Sequence, residues 1–258
     1  DAALILAIIK LIEDKMNAEP DIENIGVQAI IVVENSVMYI SSYLPHIYSI
    51  VVLQTIDFQR EALNEHQQML KRRGRPKILL ANNFNDAVEL YKKYKYNVLG
   101  VISDISYKRD NLPDENAGFE LCKVVMADDD KVPFLLQSSN LDHKRKAEEL
   151  GAGFIHKYSK TLSLELRNFI IQNLAFGPFV FRNPVTLEPI AIATDLQSLQ
   201  QKLLTVPDDV LEYHASRNHF SKWLNARALF PVAQMFKYVQ KEDFATVDEM
   251  RRFLYGAI

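Results

Sequence analysis

The sequence has almost no cysteine, little glycine and no long apolar run. Its single cysteine, Cys122, excludes an internal disulfide framework and fits a reducing compartment. Lys and Arg number 30 against 33 Asp and Glu, a formal net charge of -3, so the chain lacks the basic excess of a nucleic-acid-binding domain. The most apolar window, residues 2–12, is broken by Lys10 and is too short to span a bilayer. It has no basic leader of the signal-peptide kind. A Gly-rich phosphate loop, a zinc-type spacing of His and Cys, and an internal repeat are all missing. We therefore expect a cytoplasmic protein with no nucleic-acid or membrane partner.

What is present is a series of short apolar runs ending in polar residues. Val98, Leu99, Val101 and Ile102 lead to Ser103-Asp104. Similar runs occupy residues 27–33, ending at Glu34-Asn35-Ser36, and 77–81. Two more occupy 133–137, ending at Ser138, and 154–156, ending at Lys157. Runs of this length read as strands buried on both faces. Helical patterns at 86–95, 118–128, 142–150 and 163–173 separate them. The order is (βα)5, which predicts an α/β, flavodoxin-like, doubly wound parallel sheet. Open sheets of this class place ligands beyond the carboxyl ends of their strands. There the sequence offers Glu34, Asn35, Asp104, Ser138 and Lys157. Carboxylate and amide oxygens suit a hard cation such as Mg2+. A lysine can neutralise a transferred phosphoryl group, and an aspartate can accept one covalently.

Other segments flank this unit. Residues 1–17 read as a helix apolar over most of its circumference, and 18–26 as a loop punctuated by Pro20 and Gly26. We set residues 1–25 apart as a helix and linker left from a preceding domain, 26–175 as the (βα)5 domain, and 176–258 as a mostly helical domain. Pro45 predicts a kink or restart. Residues 46–73 read as a helix of roughly 40 Å, a candidate homodimer surface, closed by a basic cluster at 71–77 that suits the helix dipole. Residues 108–117 read as a polar loop. The helical domain is expected to carry helices near 195–205, 208–215, 218–239 and 246–255, with a hairpin at its start. His214 and His219 are assigned packing and capping roles, Asp128-Asp129-Asp130 a solvated turn, and Cys122 a core position.

The constellation IIVVENS, GVISD, GFEL, PFLLQSS and GAGFIHK resembles the receiver domain of two-component response regulators. The resemblance implies Asp104 as phosphoacceptor, Glu34, Asn35 and Asp104 as Mg2+ ligands, Ser138 and Lys157 as phosphoryl-binding groups and Phe154 as the switch aromatic. It implies a histidine kinase or phosphotransfer protein as partner. The chain departs from the family pattern at Asn35, where an acidic residue is usual, and at Tyr158, where a proline is usual. Together with the flanks, including YHASRNHFSKWLNAR and FGPFVF, the chain is similar to the regulatory N-terminal region of phosphoenolpyruvate synthase or pyruvate phosphate dikinase-like proteins. That resemblance implies an output in dikinase-like catalytic domains outside this chain. We expect a regulatory phosphoacceptor rather than an enzyme, or alternatively a degenerate receiver that serves as a docking module without phosphorylation.

Overall fold

The computed structural model describes residues 2–60, 69, 71, 73–237 and 239–258, divided into two compact units, 1–174 and 175–258. In the first, β1 (Ala29–Val33), β2 (Lys77–Ala81), β3 (Val98–Asp104), β6 (Phe134–Ser138) and β7 (Gly153–His156) form one sheet. Its order is β2-β1-β3-β6-β7, with every pairing parallel. All of β1 is buried, and all of β3 except Asp104, which explains why their apolar runs do not alternate. Ile31, Val33, Val101 and Leu136 point into a core shared with Tyr91 of α3 (Phe84–Tyr94) and with Phe119 and Val125 of α4 (Ala117–Asp128). The alternating Ile30, Ile102 and Leu135 are buried on the other face. There α2 (Val37–Arg60) packs against α6 (Leu162–Asn173). The chain passes from β1 outward to β2 and returns to β3 on β1's far side. The switch point therefore falls between β1 and β3, whose carboxyl ends carry Glu34 and Asp104.

Neither Pro20, read as punctuation of a loop, nor Pro45, read as a kink or restart, ends its helix. α1 (Ala2–Ile25) runs through Pro20 and α2 runs through Pro45. An interior proline costs about 3 kcal/mol, and tertiary burial of the surrounding turns offsets it. Just past Pro20, Asp21 forms a buried ion pair with Lys77 at 2.7 Å and Ile22 enters the core. Around Pro45, Tyr43, Leu44 and Ile47 are buried. Instead of standing apart with residues 1–25, α1 belongs to the sheet unit. Its fully buried Asp14 accepts hydrogen bonds from the Tyr48 hydroxyl (2.9 Å), the Ile78 amide (2.9 Å) and the Arg75 guanidinium. The opposite side of α1 leaves Ile5, Ile8, Ile9 and Ile12 exposed. Residues 61–68, 70 and 72 of the long helix expected over 46–73 lie outside the described residues. Within α2, Ile50, Val51 and Phe58 are buried, and the helix packs against α1.

The expected loop at 108–117 contains a small hairpin, β4 (Tyr107–Arg109) and β5 (Leu112–Asp114). Asp110 and Asn111 both adopt positive φ, 50° and 64°, the backbone of a two-residue primed turn. No helix among the described residues is long and apolar enough to cross a membrane.

The second unit pairs β8 (Phe179–Arg182) with β9 (Pro189–Ala193) as an antiparallel hairpin. Five helices follow: α7 (Leu196–Leu203), α8 (Asp208–Ser216), α9 (His219–Ala226), α10 (Phe230–Phe236) and α11 (Val247–Ala257). Phe179, Phe181, Phe220, Trp223, Phe236 and Met250 form its core. The Trp223 indole donates to the Gly177 carbonyl (3.0 Å), and the Arg227 guanidinium lies 3.6 Å over the Trp223 ring. Buried His214 sits among Phe179, Phe181 and Phe220. Its Nε2 accepts the Arg182 amide at 2.9 Å, and its Nδ1 is 2.9 Å from His219 Nδ1.

Burial, with the charges of Arg182 and Arg217, holds the His214 imidazole down to about 4 from an ordinary 6.5. The unfolded chain takes up this proton below pH 6.5 and the folded one only near 4, so stability falls as pH drops through that window. At about 1.4 kcal/mol per pH unit, the loss is on the order of 3 kcal/mol. Urea melts followed by Trp223 fluorescence at pH 7 and pH 4.5 should show it. His214→Gln, which keeps an acceptor but does not titrate, should flatten the difference. An equal pH response in that variant would rule this origin out.

Candidate functional site

The carboxyl ends of β1, β3 and β7 bring three charged side chains together. Glu34 follows β1, Asp104 ends β3 and Lys157 follows β7. The Lys157 ammonium lies 2.7 Å from Glu34 Oε2 and 2.8 Å from Asp104 Oδ2. The Lys157 and Glu34 side chains are each 4% exposed and that of Asp104 is 12% exposed, so the charges face each other in a poorly hydrated crevice. The remaining carboxylate oxygens accept backbone amides, Glu34 Oε1 from Ser36 (3.0 Å) and Asp104 Oδ1 from Ile105 (2.7 Å). Burial raises the Glu34 pKa above the ordinary carboxylate value. The charge of Asp104 raises it further, and Lys157 pulls the other way.

Gly118, near the start of α4, makes this packing possible. Its amide donates to the Ile105 carbonyl at 2.9 Å, and a Cβ at this position would lie 2.3 Å from the Asp104 carbonyl oxygen. Any side chain there would push α4 off the β3 tip.

Aromatic residues close the crevice. The Tyr39 ring lies 3.9 Å from the Lys157 ammonium, a cation–π contact on the third side of the cation. The Tyr39 hydroxyl bonds that of Tyr158 at 2.9 Å. That bond, then burial, pushes the Tyr39 phenol up to about 12. Tyr43 stacks on Tyr39 with centroids 5.8 Å apart. Its buried hydroxyl has no hydrogen-bond partner among the described residues. The sequence reading missed Tyr39 and Tyr43 as site residues. Their signal was the i, i+4 spacing in the turn after Glu34, which matches ordinary helix packing equally well.

The other predicted residues are placed differently. Asn35 is exposed beside Glu34. Phe154 is half-buried and packs against the sheet core. Ser138 ends β6, next to β3, and its carbonyl accepts the Lys157 amide at 2.8 Å. Its hydroxyl contacts His143 Nδ1 (2.9 Å) and accepts from the Asn140 amide (3.0 Å). His143 is a third residue that the sequence reading missed. Of the secondary candidates, Asp128 is engaged by Lys95 and the Tyr91 hydroxyl, and Cys122 is buried.

Chemically, the site joins two carboxylates to a fixed ammonium. Carboxylate oxygens such as those of Glu34 and Asp104, and an amide oxygen such as that of Asn35, are of the type a hard cation accepts, but among the described residues no group of three or more His, Cys, Asp or Glu side chains is placed to hold a metal ion. No protein-family model matches the chain, and no curated protein is significantly similar to it in sequence. Among solved structures, it is similar to the crystal structure of a response regulator receiver domain protein from Clostridium thermocellum. The identity is 15%, over 55% of this chain and 90% of that one, with a TM-score of 0.33. The fold assignment rests on the strand order and pairing described above.

Removing Lys157 leaves two buried carboxylates facing each other. Lys157→Met should therefore destabilise the first unit by about 3–5 kcal/mol. Adding Asp104→Asn, which removes one of the repelling charges, should restore part of that loss. Urea melts followed by far-UV circular dichroism measure the cycle. Strict additivity of the two changes would show that the charges do not interact.

Proposed function

We propose that the first unit is a signal-transduction receiver that accepts a phosphoryl group on Asp104. The observation that carries this reading is the Lys157 ammonium held between Asp104 and Glu34 at the switch point of the β2-β1-β3-β6-β7 sheet. With an acyl phosphate as donor, an Asp104 carboxylate oxygen attacks phosphorus. The bond from phosphorus to the acyl oxygen breaks, and the carboxylate leaves with no net proton transfer. Lys157, already at the carboxylate, pairs with the incoming phosphoryl oxygens, and Glu34 keeps its countercharge. Asp104, Asn35 and, through water, Glu34 would hold Mg2+, which when bound offsets charge on the phosphoryl group. A histidine kinase or phosphotransfer protein is the donor in this reading, and Phe154 is an internal aromatic able to respond. The output is an associated phosphoenolpyruvate synthase or dikinase-like activity outside the chain.

A second reading is a docking module with a silent site. It draws on the exposed apolar side chains of Ile5, Ile8, Ile9 and Ile12 on α1 and of Leu53 and Ile56 on α2.

Incubation with acetyl phosphate and Mg2+, read by intact mass, separates the two. The parent should gain one phosphoryl group and Asp104→Asn none. Asn35→Asp adds a charged ligand and should lower the Mg2+ needed for half-maximal labelling, by up to about fivefold for one exposed charge interaction. Labelling that survives Asp104→Asn, or that appears in neither the parent nor Asn35→Asp, would leave the docking module as the better reading.

A further inference from the structure

Ser138 stands at the tip of the strand beside Asp104, yet its hydroxyl makes both of its contacts inside its own turn. A serine hydroxyl has one proton and two lone pairs. The Asn140 amide occupies a lone pair at 3.0 Å, and His143 Nδ1 lies 2.9 Å away. The serine is 6% exposed, so water has little room to replace either partner. The His143 ring is fixed in turn by α4. It packs edge-on against Phe119, with centroids 5.5 Å apart and planes at 86°. Phe119 carries the Lys146 ammonium at 4.1 Å over its ring, and Lys146 donates to Asn116 Oδ1 at 2.8 Å. Phe119 directly follows Gly118, the residue that lies against the Asp104 carbonyl. One helix thus touches both the phosphoacceptor and the histidine that holds Ser138.

We propose that His143 is a positioning residue: it accepts the Ser138 hydroxyl proton and keeps that hydroxyl off the Asp104–Lys157 pair until a phosphoryl group draws it away. This rests on the phosphoacceptor reading of the same site. No covalent bond changes in the step. A neutral hydrogen bond to imidazole is exchanged for a charge-assisted one to a phosphoryl oxygen. The second bond is stronger, so the exchange runs forward on phosphorylation. His143 sets how much of its strength is retained.

The test uses the 258-residue chain phosphorylated with acetyl phosphate and Mg2+. His143→Phe keeps a ring against Phe119 and removes the acceptor, whereas His143→Gln keeps a side-chain acceptor. The aspartyl phosphate should live roughly 3–10 times longer in His143→Phe, the equivalent of one neutral hydrogen bond. His143→Gln should lie nearer the parent, and the effect of His143→Phe should vanish in a Ser138→Ala background. An unchanged lifetime, or an effect that persists without Ser138, overturns the proposal. Long-range 1H–15N spectra of the imidazole give a readout free of phosphorylation. They should show His143 Nδ1 unprotonated and shifting in Ser138→Ala. A protonated Nδ1 at neutral pH, or a signal indifferent to Ser138, overturns the proposal even if Asp104 labels normally. If no variant labels, the phosphoacceptor reading fails, and the role given to His143 fails with it whatever the spectrum shows.

Discussion

Two carboxylates and one ammonium share a crevice in which none is well hydrated, and the upper part of the sheet is arranged around their balance. Taking an ion out of water costs several kcal/mol even after relaxation, and a pair repays this only with good geometry and satisfied lone pairs. Here Lys157 reaches Glu34 at 2.7 Å and Asp104 at 2.8 Å, and backbone amides fill the outer oxygens. The three residues come from the tips of β1, β3 and β7, so the ion pairs link the centre of the sheet to its edge.

The neighbouring packing follows from that constraint. Tyr39 lays its ring against the ammonium, and Tyr158 holds Tyr39 there. Gly118 lets α4 approach close enough to seat the Asp104–Ile105 backbone. The same helix presents Phe119 to His143, so the Ser138 turn is tied to the Asp104 end of β3 through packed side chains. At the opposite end of the sheet, Asp14 and Asp21 of α1 solve a similar problem by pairing with Arg75 and Lys77 at the entrance to β2. Those contacts anchor α1 and leave the crevice untouched.

Much of the fold was legible in the sequence because its signal is local. A strand buried on both faces must be apolar over its whole length, as residues 29–33 and 98–102 are, and a polar residue must end it. Strand–helix alternation then restricts the chain to few parallel topologies, and the Asp104 and Lys157 positions follow from the run ends. Tertiary structure alone decided where a local rule met a competing distant partner. Pro20 reads as part of a loop and Pro45 as a kink or restart, yet buried neighbours carry a helix through each. Asp110-Asn111 lacks the glycine that usually marks a two-residue hairpin turn, so its pairing emerged only with the strands in place. The partners of the Ser138 hydroxyl, His143 and the Asn140 amide, were likewise set by packing, because a hydroxyl bonds whichever groups the fold brings within about 3 Å.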